Sequence, residues 1–240
     1  MRRVLDVHRI QKGGSDDEGE RYVSVVQNPE TKLWVSKHTG GREREDWLAT
    51  IYDMDSRLDH SHPLPLIVSD NWDPIKDAVE EAYGVEYLPV HDGRGRPYSK
   101  SRFAPRPDLK YAQVVKVRDQ HGNLKSVETM IVHGDPVDVR ASLILSGSRS
   151  IATSSVERQN LSVRNYGKRF ARKTICFSKD GEYLASYIEM LQAWFNFIKP
   201  HRSLRVKNPD GSYTRRTPAM AQGLANRPLT WQDVLRWRCN

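Results

Sequence analysis

Cysteine is nearly absent: the 240 residues hold two, Cys176 and Cys239. That is too few for a disulfide framework, and the two stand too isolated to make a zinc site. No apolar run reaches the roughly 20 residues needed to cross a bilayer, so no membrane partner is expected. The opening Met-Arg-Arg-Val-Leu-Asp lacks the apolar core of a secretory leader. These absences point to a soluble protein of a reducing, cytoplasmic compartment. No internal repeat, zinc-finger pattern or helix-turn-helix pattern is present. Acid is in deficit as well, 30 Asp+Glu against 38 Lys+Arg, leaving a formal net charge of +8. Such an excess favours a polyanionic partner, nucleic acid first, over the plainer reading of a basic surface. The length allows one domain with an insertion, or two small ones.

What is there reads as alternating strands and helices. Residues 2–10, 21–26 and 32–38 form three strands, with a Gly- and acid-rich turn at 11–20 and a tight turn at Asn28-Pro29-Glu30-Thr31. Residues 43–58 carry Trp47, Leu48, Ile51, Met54 and Leu58 at helical spacing. Leu64–Val68 is a short apolar strand. Asp73 then suits an N-cap, with Pro74 at the first helical position of a helix that stops at Gly84. Val85–Val90 reads as another strand. Residues 91–150 break the rhythm. The cations Arg94, Arg96, Lys100, Arg102, Arg106 and Lys110 lie among Gly, Pro and the aromatics Tyr98 and Phe103, and a hairpin follows over 111–118 and 124–133. A long helix starts near Ser155, an amphipathic one spans about 182–197, and a short one begins near Trp231. The expected class is α/β, a mixed five-stranded sheet flanked by helices. A β-hairpin region is inserted between the last core strand and the helix that begins at Ser155. The expected domains are 1–200, including the 91–150 insertion, and a C-terminal tail, 201–240.

Three acids fall at meaningful places. Asp6 sits inside the first strand, where Asp is disfavoured. Asp70 follows the fourth strand, at the end where open α/β sheets place their sites. Glu157 lies in the first turn of the long helix. Each also has a structural reading: Asp6 in a solvated strand, Asp70 as a turn cap, Glu157 in a capping box with Ser154. Phosphoryl transfer supplies a reason for three acids, since two Mg²⁺ (or Mn²⁺) ions about 3.5–4 Å apart activate the attacking oxygen and stabilise the leaving one. Mg²⁺ takes hard oxygen ligands and keeps several waters, so a few carboxylates suffice.

The segment Ser155-Val156-Glu157-Arg158-Gln159-Asn160-Leu161-Ser162-Val163-Arg164, continued by Arg172-Lys173-Thr174-Ile175-Cys176-Phe177-Ser178, closely resembles a block of the DDE transposases of the insertion-sequence-one type. In that family the block carries the catalytic glutamate. Pro29-Glu30-Thr31-Lys32-Leu33 with Gly41-Arg42, Ser69-Asp70-Asn71-Trp72, Phe195-Asn196-Phe197 with Pro200-His201 and Leu204, and Thr217-Pro218-Ala219-Met220-Ala221 resemble its other signatures. The likeness covers nearly the whole chain and is weakest over residues 8–24 and 91–150. It implies an RNase H-like (retroviral integrase-like) domain that cleaves DNA at the ends of an insertion sequence and transfers the strand. Asp6, Asp70 and Glu157 would be its catalytic, metal-holding acids, with two Mg²⁺ or Mn²⁺ as cofactors. Family members often have an acidic-aromatic sequence after the first Asp, where this chain has Val7-His8-Arg9. Asn28 stands at another place where relatives tend to carry Asp. The first ligand is assigned to Asp6 because an RNase H-like sheet puts its first acid on the central strand. The alternatives are an RNase H-like nuclease without strand transfer and an inactive DNA-binding remnant.

The expected partner is double-stranded DNA, both element ends and target. Synapsis of two ends implies a homodimer or a higher complex, and relatives usually carry a DNA-binding module upstream, in the same chain or on a partner. The setting is a prokaryotic cytoplasm, beside the nucleoid. Expected phosphate contacts are Arg94, Arg96, Lys100 and Arg102 from the basic stretch, with Tyr98 and Phe103 for base stacking. Arg158, Arg164, Lys168, Arg172 and Lys173 would add to these from the long helix. Glu157, Leu161, Arg164, Lys168 and Arg172 make one stripe if that helix continues through Gly167. His201 either positions a phosphate or caps the helix ending near Lys199.

Overall fold

The computed structural model describes residues 4–13, 21–90, 93, 101–147, 150–170, 176, 178 and 180–236, with the backbone alone for 4–13, 21 and 156. The element order is β1 (Val4–Gly13), β2 (Arg21–Gln27), β3 (Trp34–Gly40), α1 (Arg44–Asp55), β4 (Leu66–Asp70), α2 (Asp73–Ala82), β5 (Gly84–Tyr87), β6 (Arg102–Pro105), β7 (Lys110–Arg118) and β8 (Leu124–His133). There follow α3 (Pro136–Leu145), α4 (Ser154–Tyr166), α5 (Gly181–Ala193), the two-residue strands β9 (Val206–Lys207) and β10 (Tyr213–Thr214), α6 (Pro218–Gln222) and α7 (Trp231–Arg236). The mixed α/β class expected from the sequence is found. The chain divides into two compact units, the first of residues 1–7 with 42–153, the second of residues 8–41 with 154–240.

In the first unit the strand order is β1-β4-β7-β8. β1 pairs parallel with β4, in the register Asp6 opposite Val68, and β4 pairs parallel with β7, Asp70 opposite Val114. β8 returns antiparallel at the edge. β4 is buried on both faces. Leu66 and Val68 meet Ala112, Val114 and Val139, and Leu143 and Ile151 close this layer. Ile67, on the alternate face, is fully buried too. That is why β4 reads as a continuous apolar run. α1 and α2 pack on each other through Trp47, Ile51, Met54, Ile75, Ala78 and Val79, all buried.

Two expectations are corrected here. The run 85–90 does not join this sheet: β5 pairs with β6 in a separate two-stranded ribbon. The hairpin over 111–133 is no insertion, because β7 is the direct neighbour of β4. The expected five-stranded membership is therefore wrong. The turn into β5 is fixed by Gly84, where a Cβ would collide with the Glu80 carbonyl oxygen and stand 2.8 Å from Phe103 Cβ. α2 also begins one residue earlier than expected, with Trp72 as N-cap and Asp73 already helical.

In the second unit the order is β3-β2-β1. β2 and β3 form an antiparallel hairpin around the expected turn at Asn28–Thr31. Its core gathers Val23, Val25, Trp34, Val163, Phe170, Leu184, Ile188, Leu191 and Phe195. α5 lies on β3 and continues into a π-helical turn over Trp194–Ile198. From that turn the buried Asn196 accepts from the Trp34 N–H at 2.9 Å and donates to the Trp34 carbonyl at 3.0 Å. α4 stops at Tyr166; Gly167 follows, and a 3-10 turn, Lys168–Phe170, drops Phe170 into the core. Among the described residues no helix is long and apolar enough to cross a membrane.

Candidate functional site

Asp70 ends β4 because the apolar run ends there. Asn71 leaves the strand with its N–H on the Val114 carbonyl at 3.1 Å, and α2 starts two residues later. The side chain is about a third exposed, with Lys116 Nζ 4.0 Å away. Beneath it lies a buried polar network. Ser69, fully buried, donates to the Asp70 carbonyl at 2.8 Å, and its hydroxyl meets the Tyr111 hydroxyl at 2.7 Å. Gln113 Nε2 also donates to that Tyr111 oxygen, at 3.0 Å. Burial pushes the Tyr111 phenol up to about 12, against the opposing pull of Ser69 and Gln113. β4 and β7 thus hold the backbone of Asp70 through buried hydrogen bonds as well as the ladder. Asp6 lies on the adjoining strand, its register partner Val68 two residues before Asp70. Its side chain lies outside the described residues.

Glu157 belongs to the second unit, in the first turn of α4, where it is partly buried. The start of α4 is tied to the β2–β3 turn. Lys32 Nζ donates to Ser155 Oγ at 2.9 Å, and Ser155 Oγ donates to Gln27 Oε1 at 3.3 Å. Gln27 is fully buried, and its Nε2 donates to the Lys32 carbonyl at 3.1 Å. Asn28 is engaged on every side: Oδ1 accepts from the Glu30 N–H at 2.9 Å, and Nδ2 donates to Gln222 Oε1 at 3.1 Å. A carboxylate at position 28 would lose that second bond, so Asn suits the site as built. Lys32 itself stands at φ 61°, alone among the described non-glycine residues in positive φ. That conformation costs an L-residue roughly 1–2 kcal/mol.

The expected cations fare unevenly. Arg158 is exposed on α4, three residues after Ser155. Arg164 is partly buried, and its Nε has no hydrogen-bond partner. The single stripe expected from Glu157 to Arg172 is interrupted, because α4 ends at Tyr166 and Lys168 falls in the 3-10 turn beyond it. Arg94, Arg96, Lys100, Arg172, Lys173 and the aromatic Tyr98 lie outside the described residues. Arg102 and Phe103 sit on β6, while Arg106 is committed to Asp108 through two bonds of 3.1 Å.

His201 does not cap the preceding helix. Its Nδ1 accepts from the Ser203 N–H at 3.3 Å and caps the next short turn, Arg202–Leu204. Burial first, then the charges of Lys32, Lys199 and Arg158, hold its imidazole below the ordinary histidine range. Lys199 is partly spent elsewhere, its Nζ 3.3 Å from the Tyr166 ring centroid.

Lys32, Lys116, Ser155 and the Ser69–Tyr111–Gln113 network were missed by sequence reasoning. Lys116 is two residues beyond Val114, the register partner of Asp70, and only the β4–β7 pairing reveals that. Among the described residues no three of His, Cys, Asp and Glu gather into a metal-sized cluster. No protein-family model matches the chain, and no curated protein matches it either.

Proposed function

We propose that this chain is the catalytic part of a DDE-type DNA transposase with an RNase H-like fold, carrying Asp6, Asp70 and Glu157 as its acids. The observation that carries the reading is the parallel pairing of β1 with β4 inside the first unit, which puts two acids on neighbouring strands. An acid-bearing first strand beside a second acid at a strand end is what the resemblance implies. Asp6 on β1 is opposite Val68, and Asp70 ends the adjoining parallel strand. The long block around Glu157 adds the third acid.

The donor chemistry fits a hard divalent ion. All three residues are carboxylates, and Asp70 keeps an accessible face beside Lys116. Asp6, Asp70 and Glu157 would hold Mg²⁺ or Mn²⁺, which when bound activates the attacking oxygen and stabilises the leaving one. The reaction is in-line displacement at phosphorus. Water attacks and the 3′-oxygen of the element end departs as a hydroxyl; that hydroxyl then attacks a target phosphodiester and expels another 3′-oxygen. Neither step passes through a covalent protein–DNA bond. Exposed cations, Arg158 and Lys168 among them, neutralise backbone phosphates. A dimer or larger synaptic complex holds two ends, with an upstream module or partner reading their sequence.

The test is cleavage of labelled duplex DNA in Mg²⁺ by the wild type, Asp70→Asn and Glu157→Gln. The wild type should cleave, both variants should lose at least about 100-fold in rate, and DNA affinity should persist. Variants that cut like the wild type would sink the assignment. Precut ends bearing a free 3′-hydroxyl separate a transposase, which joins them to target, from a nuclease, which does not.

A further inference from the structure

We propose that Lys32, with Arg158 and His201 beside it, grips a phosphodiester group of duplex DNA next to the first turn of α4. The proposal rests on the transposase reading only for the identity of the polyanion. Lys32 occupies a backbone conformation in which glycine or asparagine would be at ease, and the bonds of its side chain offset that cost. The ammonium is held in place by its bonds to the Pro29 carbonyl and to Ser155 Oγ. Its supports are buried in turn. Gln27 and Asn28 are almost wholly enclosed, and Gln222 bridges Asn28 and Thr31 from α6. A lysine normally loses much side-chain freedom when it binds an anion; this one is ordered beforehand.

Arg158 lies one turn along α4 from Ser155, on the same side of the helix, and is exposed. Nδ1 of His201 is taken by Ser203, which leaves Nε2 to carry the ring proton as a donor. Lys32, Arg158 and Lys199 all bear on that ring electrostatically. Two cations, Lys32 and Arg158, and the imidazole N–H of His201, on three segments of the second unit, offer donors that a phosphate oxygen suits. Glu157 follows Ser155 by two residues, so a phosphate held here lies at the same end of α4 as the acid assigned to the metal.

The experiment is fluorescence anisotropy of the full chain with a labelled duplex in EDTA, titrated across salt concentrations. Lys32→Asn removes the charge and tolerates the backbone, while Lys32→Arg restores the charge. Loss of one phosphate contact lowers the slope of log affinity against log salt by about 0.9. Lys32→Asn should show that loss with several-fold weaker binding, and Lys32→Arg should recover the slope. Lys37→Gln, which removes a lysine paired with Glu189, should leave it unchanged. Should Lys32→Asn unfold, Lys32→Gly gives the same measurement with the most relaxed backbone. An unchanged slope in a folded variant means that Lys32 only clamps its turn, and the proposal fails; so does a wild type that binds no DNA. Cleavage in Mg²⁺ is scored separately. A chain that binds through Lys32 but never cuts overturns the transposase reading and leaves the phosphate grip standing.

Discussion

Replacing Tyr111 with phenylalanine removes one oxygen from the network beneath Asp70, and the structure fixes the cost. Tyr111 is fully buried, and its hydroxyl has two partners, Ser69 Oγ at 2.7 Å and Gln113 Nε2 at 3.0 Å. Ser69 keeps its bond to the Asp70 carbonyl in the variant, so it retains a partner. Gln113, 1% exposed, loses an acceptor for its amide. Leaving one buried donor unsatisfied costs about 1–3 kcal/mol, so about 2 kcal/mol is expected at neutral pH. The gap should then close in alkali. The native phenol is pushed up to about 12, whereas an unfolded tyrosine ionises near 10. Above pH 10 the unfolded chain therefore binds fewer protons than the native one, and stability falls as pH rises. The slope from this group is at most about 1.4 kcal/mol per pH unit. Phenylalanine has no such slope, so an initial gap of about 2 kcal/mol vanishes near pH ~11.5. Urea unfolding of the two proteins at pH 7, 9, 10 and 11 measures it. Equal stability at pH 7, or a gap that stays constant to pH 11, would refute the buried network.

Asn196→Leu leaves the buried Trp34 N–H without its acceptor, while the Trp34 carbonyl keeps the Gln192 donor at 3.1 Å, and should cost about 1–3 kcal/mol, read as a drop in Tm of roughly 2–12 °C. Asp233 caps the start of α7 by accepting from Thr230 and pairing with Arg227, and these bonds hold its carboxyl well below the usual carboxylate range. A depressed native pKa means that the stabilisation is present above the unfolded value near 4 and is lost as pH falls below it. Hydrogen exchange over residues 230–236 should accelerate between about pH 4 and pH 2 relative to the rest of the second unit, and Asp233→Asn should remove that dependence.

The sequence made local elements readable and left their partners hidden. β4 announced itself because burial on both faces requires an unbroken apolar run, and Asp70 marked its end. Strand propensity misled at 85–90, where Val85, Tyr87, Leu88 and Val90 surround Glu86 and Pro89. Val85 and Val90 are 67% and 92% exposed, and the strand lies in a small ribbon with β6. β7 is the opposite case. Tyr111, Ala112, Gln113 and Val114 are all buried, yet Gln113 and Tyr111 carry polar atoms that dilute the apolar signal. Their hydrogen bonds to each other and to Ser69 make the burial affordable, and those bonds exist only once β7 lies beside β4. A hairpin reading of 111–133 was correct for β7 with β8 and wrong to set the pair apart as an insertion, since one strand's sequence does not name its neighbour on the other side.

The candidate site divides along the same line. Asp70 and Glu157 were legible from their own surroundings, a strand end and a helix start. Lys32 was not, because nothing in Pro29-Glu30-Thr31-Lys32 requires a left-handed residue at its last position. The requirement comes from Gln27, Asn28, Ser155 and Gln222, which together define the turn, the last of them 194 residues from Asn28. A lysine kept at φ 61° is therefore information of a kind that spacing and periodicity do not carry. It is a local cost, set against the bonds that the ammonium makes to the Pro29 carbonyl and to Ser155 Oγ. The proposed phosphate beside Arg158 and His201 would add to those bonds, and the salt slope of Lys32→Asn measures that addition.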